Sequence, residues 1–204
     1  MKRGLVCWDK SELPTDELAA RLATVHAVAR KKSVDAVVVY SDVWRANDAR
    51  YVSNYMPYWN RAFVVVPRDE KPILLCSLSP RVYPWIKTVT VHETIVASPS
   101  PPATLFKLCA ERGWKWIGIC DLDGLPADLH AELIAGKVEL VNIPRSEIRA
   151  APSEVEVWMH ARADVGSKEI CELRPRPGSM PSRYSSGLRP SVPFHLLLER
   201  DVHH

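Results

Sequence analysis

Ala36-Val37-Val38-Val39-Tyr40 decides the fold. The run is apolar and β-branched with no polar alternation. That predicts a central strand buried on both faces, the kind found inside an α/β sheet. Upstream, Leu18, Leu22, Val25 and Ala29 recur at helical spacing. Thr15 or Asp16 can cap that helix, Glu17 and Arg21 can pair four residues apart, and Lys31 and Lys32 suit its end.

Downstream, Phe63-Val64-Val65-Val66 and Ile73-Leu74-Leu75-Cys76 read as two strands, with Arg68–Lys71 as a hairpin loop between them. A fourth strand is expected near Val89–Val91. Ser100-Pro101 then opens a helix that Gly113 ends, and Ile117–Cys120 is a strand. Pro126 opens a helix carrying Leu129 and Leu133, closed by Gly136, and Val138–Val141 is again a strand. This alternation implies an α/β fold whose mixed sheet carries helices on its faces. Ser153–Glu156 fits a capping box at the start of a long helix, on which Val155, Trp158, Met159 and Arg162 share a face. From Arg174 to Pro193, five prolines, five serines, four arginines and two glycines leave no helical or strand period. Residues 174–204 are therefore expected to be disordered or weakly ordered. An aberrant terminus from a frameshifted or truncated reading frame is the other reading of that stretch.

The 204 residues are 47% hydrophobic and 25% charged, with a net charge of +3. That balance is globular, and the interspersed charge is too weak for a nucleic-acid footprint. No apolar run approaches the roughly 18 residues of a membrane span, and the apolar run near the N-terminus stops at Trp8, too early for a signal peptide. The expectation is a cytoplasmic chain. Its five cysteines, Cys7, Cys76, Cys109, Cys120 and Cys171, form no C-x-x-C pair and read as buried free thiols.

Motifs with chemical content are sparse. His92-Glu93 begins a zinc-type H-E-x-x-H, but position 96 is Val. Asp121, Asp123, Gly124 and Glu132 echo a calcium loop with the glycine too early. Asp121 and Asp123 also follow a strand, where α/β proteins place site residues and where Asp is an ordinary loop former. A cysteine-dependent enzyme using Cys120 would need a thiolate-stabilising environment. The most unusual segment is 44–61, WRANDARYVSNYMPYWNR. Its aromatic and arginine content suits a recognition surface, with Arg50, Tyr51, Tyr55, Trp59 and Arg61 as candidate binding residues. It equally suits an irregular connection packed under the sheet.

Asp48-Ala49-Arg50-Tyr51-Val52-Ser53-Asn54-Tyr55 resembles the N-x-R-Y-L-T-G-F segment of the creatinase, prolidase and aminopeptidase P N-terminal domain. As in that family, it follows a D-A-V-V-V strand, here Asp35 to Val39, and precedes a paired-strand region. Glu147–Val157 resembles the family's I-R-x-x-K-S-x-x-E-I linker, and Ala163 fits its later small residue. Asp48 stands where asparagine is usual, Asn54 where glycine is usual, and Pro152 where lysine is usual. The resemblance spans about residues 10–168.

The resemblance implies a ribonuclease-H-like α/β domain over 1–150 and a linker helix over 151–173 that would lead into a catalytic domain; the tail over 174–204 lies beyond it. In the family, two divalent metals are held by a following "pita-bread" domain. No cofactor, metal ligand or catalytic residue is therefore expected in this chain. The implied function is a non-catalytic domain of a creatinase or Xaa-Pro-peptidase-like hydrolase, with a role in dimerisation and in walling the active site. Its partner would be a second copy or a full-length paralogue, with Trp158 and Met159 as candidate interface residues and no nucleic acid or membrane. The alternative is a stand-alone module binding a small ligand or a protein.

Overall fold

A computed structural model describes residues 8–57, 60–149 and 152–173, with side chains placed through 164. The expected disorder of 174–204 lies outside the described residues.

Helix α1 (Thr15–Lys31) leads into β1 (Ala36–Ser41), in which every residue is buried. Helix α2 (Asn47–Ser53) then precedes β2 (Ala62–Pro67) and β3 (Ile73–Cys76), an antiparallel pair around the expected hairpin loop. Helix α3 (Tyr83–Val89), β4 (Thr94–Ala97), α4 (Pro101–Arg112) and β5 (Trp116–Cys120) follow. The chain continues through α5 (Ala127–Ile134), β6 (Glu139–Ile143), the single turn α6 (Arg145–Ile148) and α7 (Glu154–Leu173).

The six strands form one mixed sheet in the order β4-β3-β2-β1-β5-β6. β1 pairs antiparallel with β2 and parallel with β5, so the strand read first from the sequence is central. Its alternate residues feed two cores. Val37 and Val39 meet Val25 and Ala29 of α1, Val52 of α2 and Ile86 of α3. Val38 and Tyr40 meet Leu105 of α4 and Leu129 and Leu133 of α5. Burying both faces of the sheet beneath helices explains why this strand shows no polar alternation.

Three details differ from the sequence expectations. The stretch near Val89–Val91 is the end of α3 rather than a strand. Pro84 sits in the first turn of that helix, and Thr90 Oγ1 donates to the Ile86 carbonyl. The fourth strand comes a few residues later, at the sheet edge. Helix α1 starts without a side-chain cap from Thr15 or Asp16, and Pro14 occupies the capping position. Part of the 44–61 segment is regular, because α2 lies within it. The Ser100 and Gly113 caps form as read: Ser100 Oγ accepts from the Ala103 N–H at 3.4 Å, and Gly113 is left-handed.

One compact unit runs to Val157, and a second begins at Trp158.

Candidate functional site

The carboxyl ends of β1 and β5 lie side by side, where α/β sheets gather their functional loops. A cavity of about 30 Å³ opens there, lined in part by Tyr40, Asp48, Cys120, Asp121 and Arg145. Arg145, from α6, donates through Nε to Asp48 at 2.8 Å and through Nη2 to Asp121 at 3.0 Å. Asp121 takes a left-handed backbone (φ 55°), and the loop after it is fitted to its carboxylate. A Cβ at Gly124 would stand 2.7 Å from Asp121 Oδ2. Asn142 of β6 accepts from the Leu122 N–H and donates to Asp123, which binds this loop to the neighbouring strand.

The arrangement is a set of paired charges around room for about one water, in which Asp48 Oδ1 has no hydrogen-bond partner and lies 3.6 Å from Arg149. Burial, then the adjacent Asp48 carboxylate, pushes the Cys120 thiol up to about 12. A nucleophilic cysteine needs the opposite environment, so the geometry gives no support to Cys120 as a nucleophile.

The described residues among those singled out in the 44–61 segment do not converge. Arg50 is exposed on α2. Arg61 pairs with Asp128 at the surface. Tyr55 is 2% exposed, meets the His92 ring edge-on at 6.2 Å, and leaves its hydroxyl without a hydrogen-bond partner. Trp59 lies outside the described residues.

Among the described residues of the segment, Trp44 is the exposed aromatic, at 91%. Its turn is rigidly made. Asp42 Oδ1 accepts from the N–H groups of Trp44 and Arg45, both at 2.7 Å, and Tyr40 donates to Asp42 Oδ2 at 2.7 Å. Burial opposes ionisation of Asp42, but these three donors and the Arg45 charge hold its carboxyl below the usual range. Arg45 also donates to the Gly124 carbonyl at 2.8 Å.

Tyr51 is the candidate with the densest surroundings. The guanidinium carbons of Arg21 and Arg149 lie 4.5 and 4.7 Å from its ring centroid. Arg21 donates to the Tyr51 carbonyl at 3.2 Å and to Glu17 at 2.7 Å, and Arg149 lies 3.6 Å from Glu156. The Glu17–Arg21 pair and the Ser153–Glu156 capping box are each local features of the sequence. Their meeting at Tyr51 carries no local signal, because it joins positions far apart in the chain.

At the second unit, Trp158 is half-exposed and its ring lies under the Arg162 guanidinium at 5.4 Å. Among the described residues, no three His, Cys, Asp or Glu side chains are grouped so that they could hold a metal ion. These residues do not fit a two-metal hydrolase centre. No described helix is long and apolar enough to cross a membrane.

No protein-family model and no curated protein sequence matches the chain. Solved structures do. An Xaa-Pro aminopeptidase structure from Streptococcus pyogenes aligns over 67% of this chain and 98% of its own, with 13% identity and a TM-score of 0.53. An Xaa-Pro dipeptidase from Bacillus anthracis aligns over 77% of this chain at 13% identity and a TM-score of 0.57. A prolidase from Pyrococcus horikoshii OT3 aligns over 75% at 16% identity and a TM-score of 0.56. In those two proteins the matched part is 44% and 41% of the chain. The fold is thus the α/β fold found in Xaa-Pro peptidase structures, as the resemblance implied.

Proposed function

We propose that this chain supplies the non-catalytic α/β domain of a creatinase or Xaa-Pro-peptidase-like hydrolase. In this reading it contributes dimer contacts and part of the wall of an active site built by other residues. The observation that carries the proposal is the way the fold recurs. It fills nearly all of one solved aminopeptidase chain and under half of two longer peptidases. A unit that recurs both ways is a separable domain, and the described residues offer no metal-ligand cluster of their own. The divalent metals and hydrolytic groups would then come from a catalytic unit, in the same polypeptide or in a partner, and the setting would be the cytoplasm.

Self-association tests the partner half of this reading. Trp158 exposes about half its surface and Val157 is 55% exposed, the kind of apolar surface that finds a partner. Sedimentation should show a two-fold dimer at micromolar concentration, and Trp158→Ala should weaken it by about 2 kcal/mol. A strict monomer up to roughly 100 μM, the weak end of specific affinity, would remove the dimer role.

A second reading, a stand-alone binding module, draws on Trp44. A tryptophan displayed on a braced turn is preorganised for contact, which lowers the entropy lost on binding.

A further inference from the structure

Six side chains from separate parts of the chain meet where α7 begins. Glu17 and Arg21 come from α1, Tyr51 from α2, and Arg149 follows α6. Ser153 and Glu156 form the capping box: Ser153 Oγ accepts from the Glu156 N–H at 3.2 Å, and Glu156 Oε2 accepts from the Ser153 N–H at 3.3 Å. Ser153 Oγ also donates to Glu17 at 2.7 Å. Glu156 reaches Arg149 at 3.6 Å and Arg21 at 4.0 Å. Two arginines thus face two glutamates, and Arg149 also lies 3.6 Å from Asp48. Burial works against the Glu17 charge, but the hydrogen bonds from Ser153 and Arg21 leave its carboxyl below the usual range.

Little apolar burial accompanies these bonds in the first turn. Glu154 and Val157 are exposed and Val155 is only half-buried. The attachment is therefore polar and directional. A partly buried ion cluster gives back much of its Coulombic gain as desolvation cost, so hydrating its charges on opening offsets most of what is lost. An apolar anchor has no such compensation.

We infer that the cluster is a releasable clasp: residues 153–157 detach from α1 and α2 while the six-stranded domain stays folded. The clasp sits at the end of the first compact unit, which runs to Val157. Arg21 and Tyr51 remain in place on opening, because each is also fixed within the domain. Arg21 is held by the Tyr51 carbonyl, and Tyr51 lies in the buried core beside α1.

Hydrogen exchange on the full chain, read by mass spectrometry, tests this. The reporters are the Glu156 and Val157 amides, which donate to Ser153 Oγ and the Ser153 carbonyl. In the wild-type chain they should exchange faster than the amides of β1 and β2, through a local opening. Glu156→Gln should speed them by about tenfold or more and leave the β1 and β2 amides unchanged. Arg149→Lys keeps the charge but loses the planar group over Tyr51, and should act in the same direction. Unchanged exchange at 156–157 in both variants would overturn the proposal. So would acceleration of the β1 and β2 amides in step with them, which would make the cluster part of the core.

Discussion

Asn54 donates its side-chain amide to the carbonyl of Val89 at 2.9 Å, while its own backbone turns left-handed at φ 56° to end α2. One residue thus stops a helix and ties it to the end of α3. Glycine is the usual residue for such a left-handed cap, and asparagine is the commonest substitute. The position at which the resemblance puts glycine is one that the backbone reserves for Gly or Asn.

This predicts an order of stabilities at position 54. Asn54→Gly keeps the backbone at ease and loses only the bond to Val89, costing about 1–2 kcal/mol. Asn54→Ala loses the same bond and adds about 1–2 kcal/mol of left-handed strain. Urea unfolding of the two variants should therefore place alanine below glycine, although alanine is the better helix former.

His92 predicts a pH dependence. The ring is fully buried, with Nδ1 3.5 Å from the Pro72 carbonyl, Nε2 unpartnered, and Tyr55 against its edge. Burial lowers its pKa from 6.5 to about 4. Below the unfolded value the unfolded chain binds a proton that the folded chain refuses. Stability is therefore full above pH 6.5, falls as the pH drops toward 4, and levels below that. The loss is at most about 3 kcal/mol. Unfolding free energies measured between pH 7.5 and 4.5 should show this slope, and His92→Leu should flatten it. The depressed carboxyls of Glu17 and Asp42 lose their contribution only as the pH falls through the lower carboxylate range.

Gly118, in the middle of β5, predicts a packing limit. A Cβ there would stand 2.3 Å from Ile143 Cδ1 and 3.3 Å from Val34 Cγ2. Ile143 would have to move within a filled core, so Gly118→Ala should cost about 1–3 kcal/mol in thermal unfolding. Pairing it with Ile143→Val should recover part of that loss, since the shortened side chain vacates the clashing position.

The sequence showed most plainly what burial writes into it. β1 and β2 are buried at every position and appear as unbroken apolar runs. Edge strand β4 is half-exposed, so Thr94–Ala97 shows neither a run nor a clear alternation. Beside it, Thr88-Val89-Thr90-Val91 has the composition of a strand. Packing of Ile86 and the proline in the first turn make the first part of it helical instead. The capping box at Ser153 was legible because it is local. The clustering of Arg21, Tyr51 and Arg149 was not, because tertiary contact alone brings 21, 51 and 149 together. The aromatic content of 44–61 was plain, but which ring packs and which is displayed follows from the fold: Tyr55 is buried and Trp44 exposed.

The central proposal is that these residues supply the non-catalytic domain of a hydrolase and do not perform the hydrolysis themselves. The most direct test incubates the purified chain with an Xaa-Pro dipeptide in the presence of Mn, Co or Zn ions, and follows both proline release and metal stoichiometry. Hydrolysis by metal needs a preorganised ligand set with an open position, and no described residues are grouped to form one. The expected result is no turnover and no stoichiometric tight metal binding. Turnover that EDTA abolishes, accompanied by stoichiometric metal uptake, would contradict the claim.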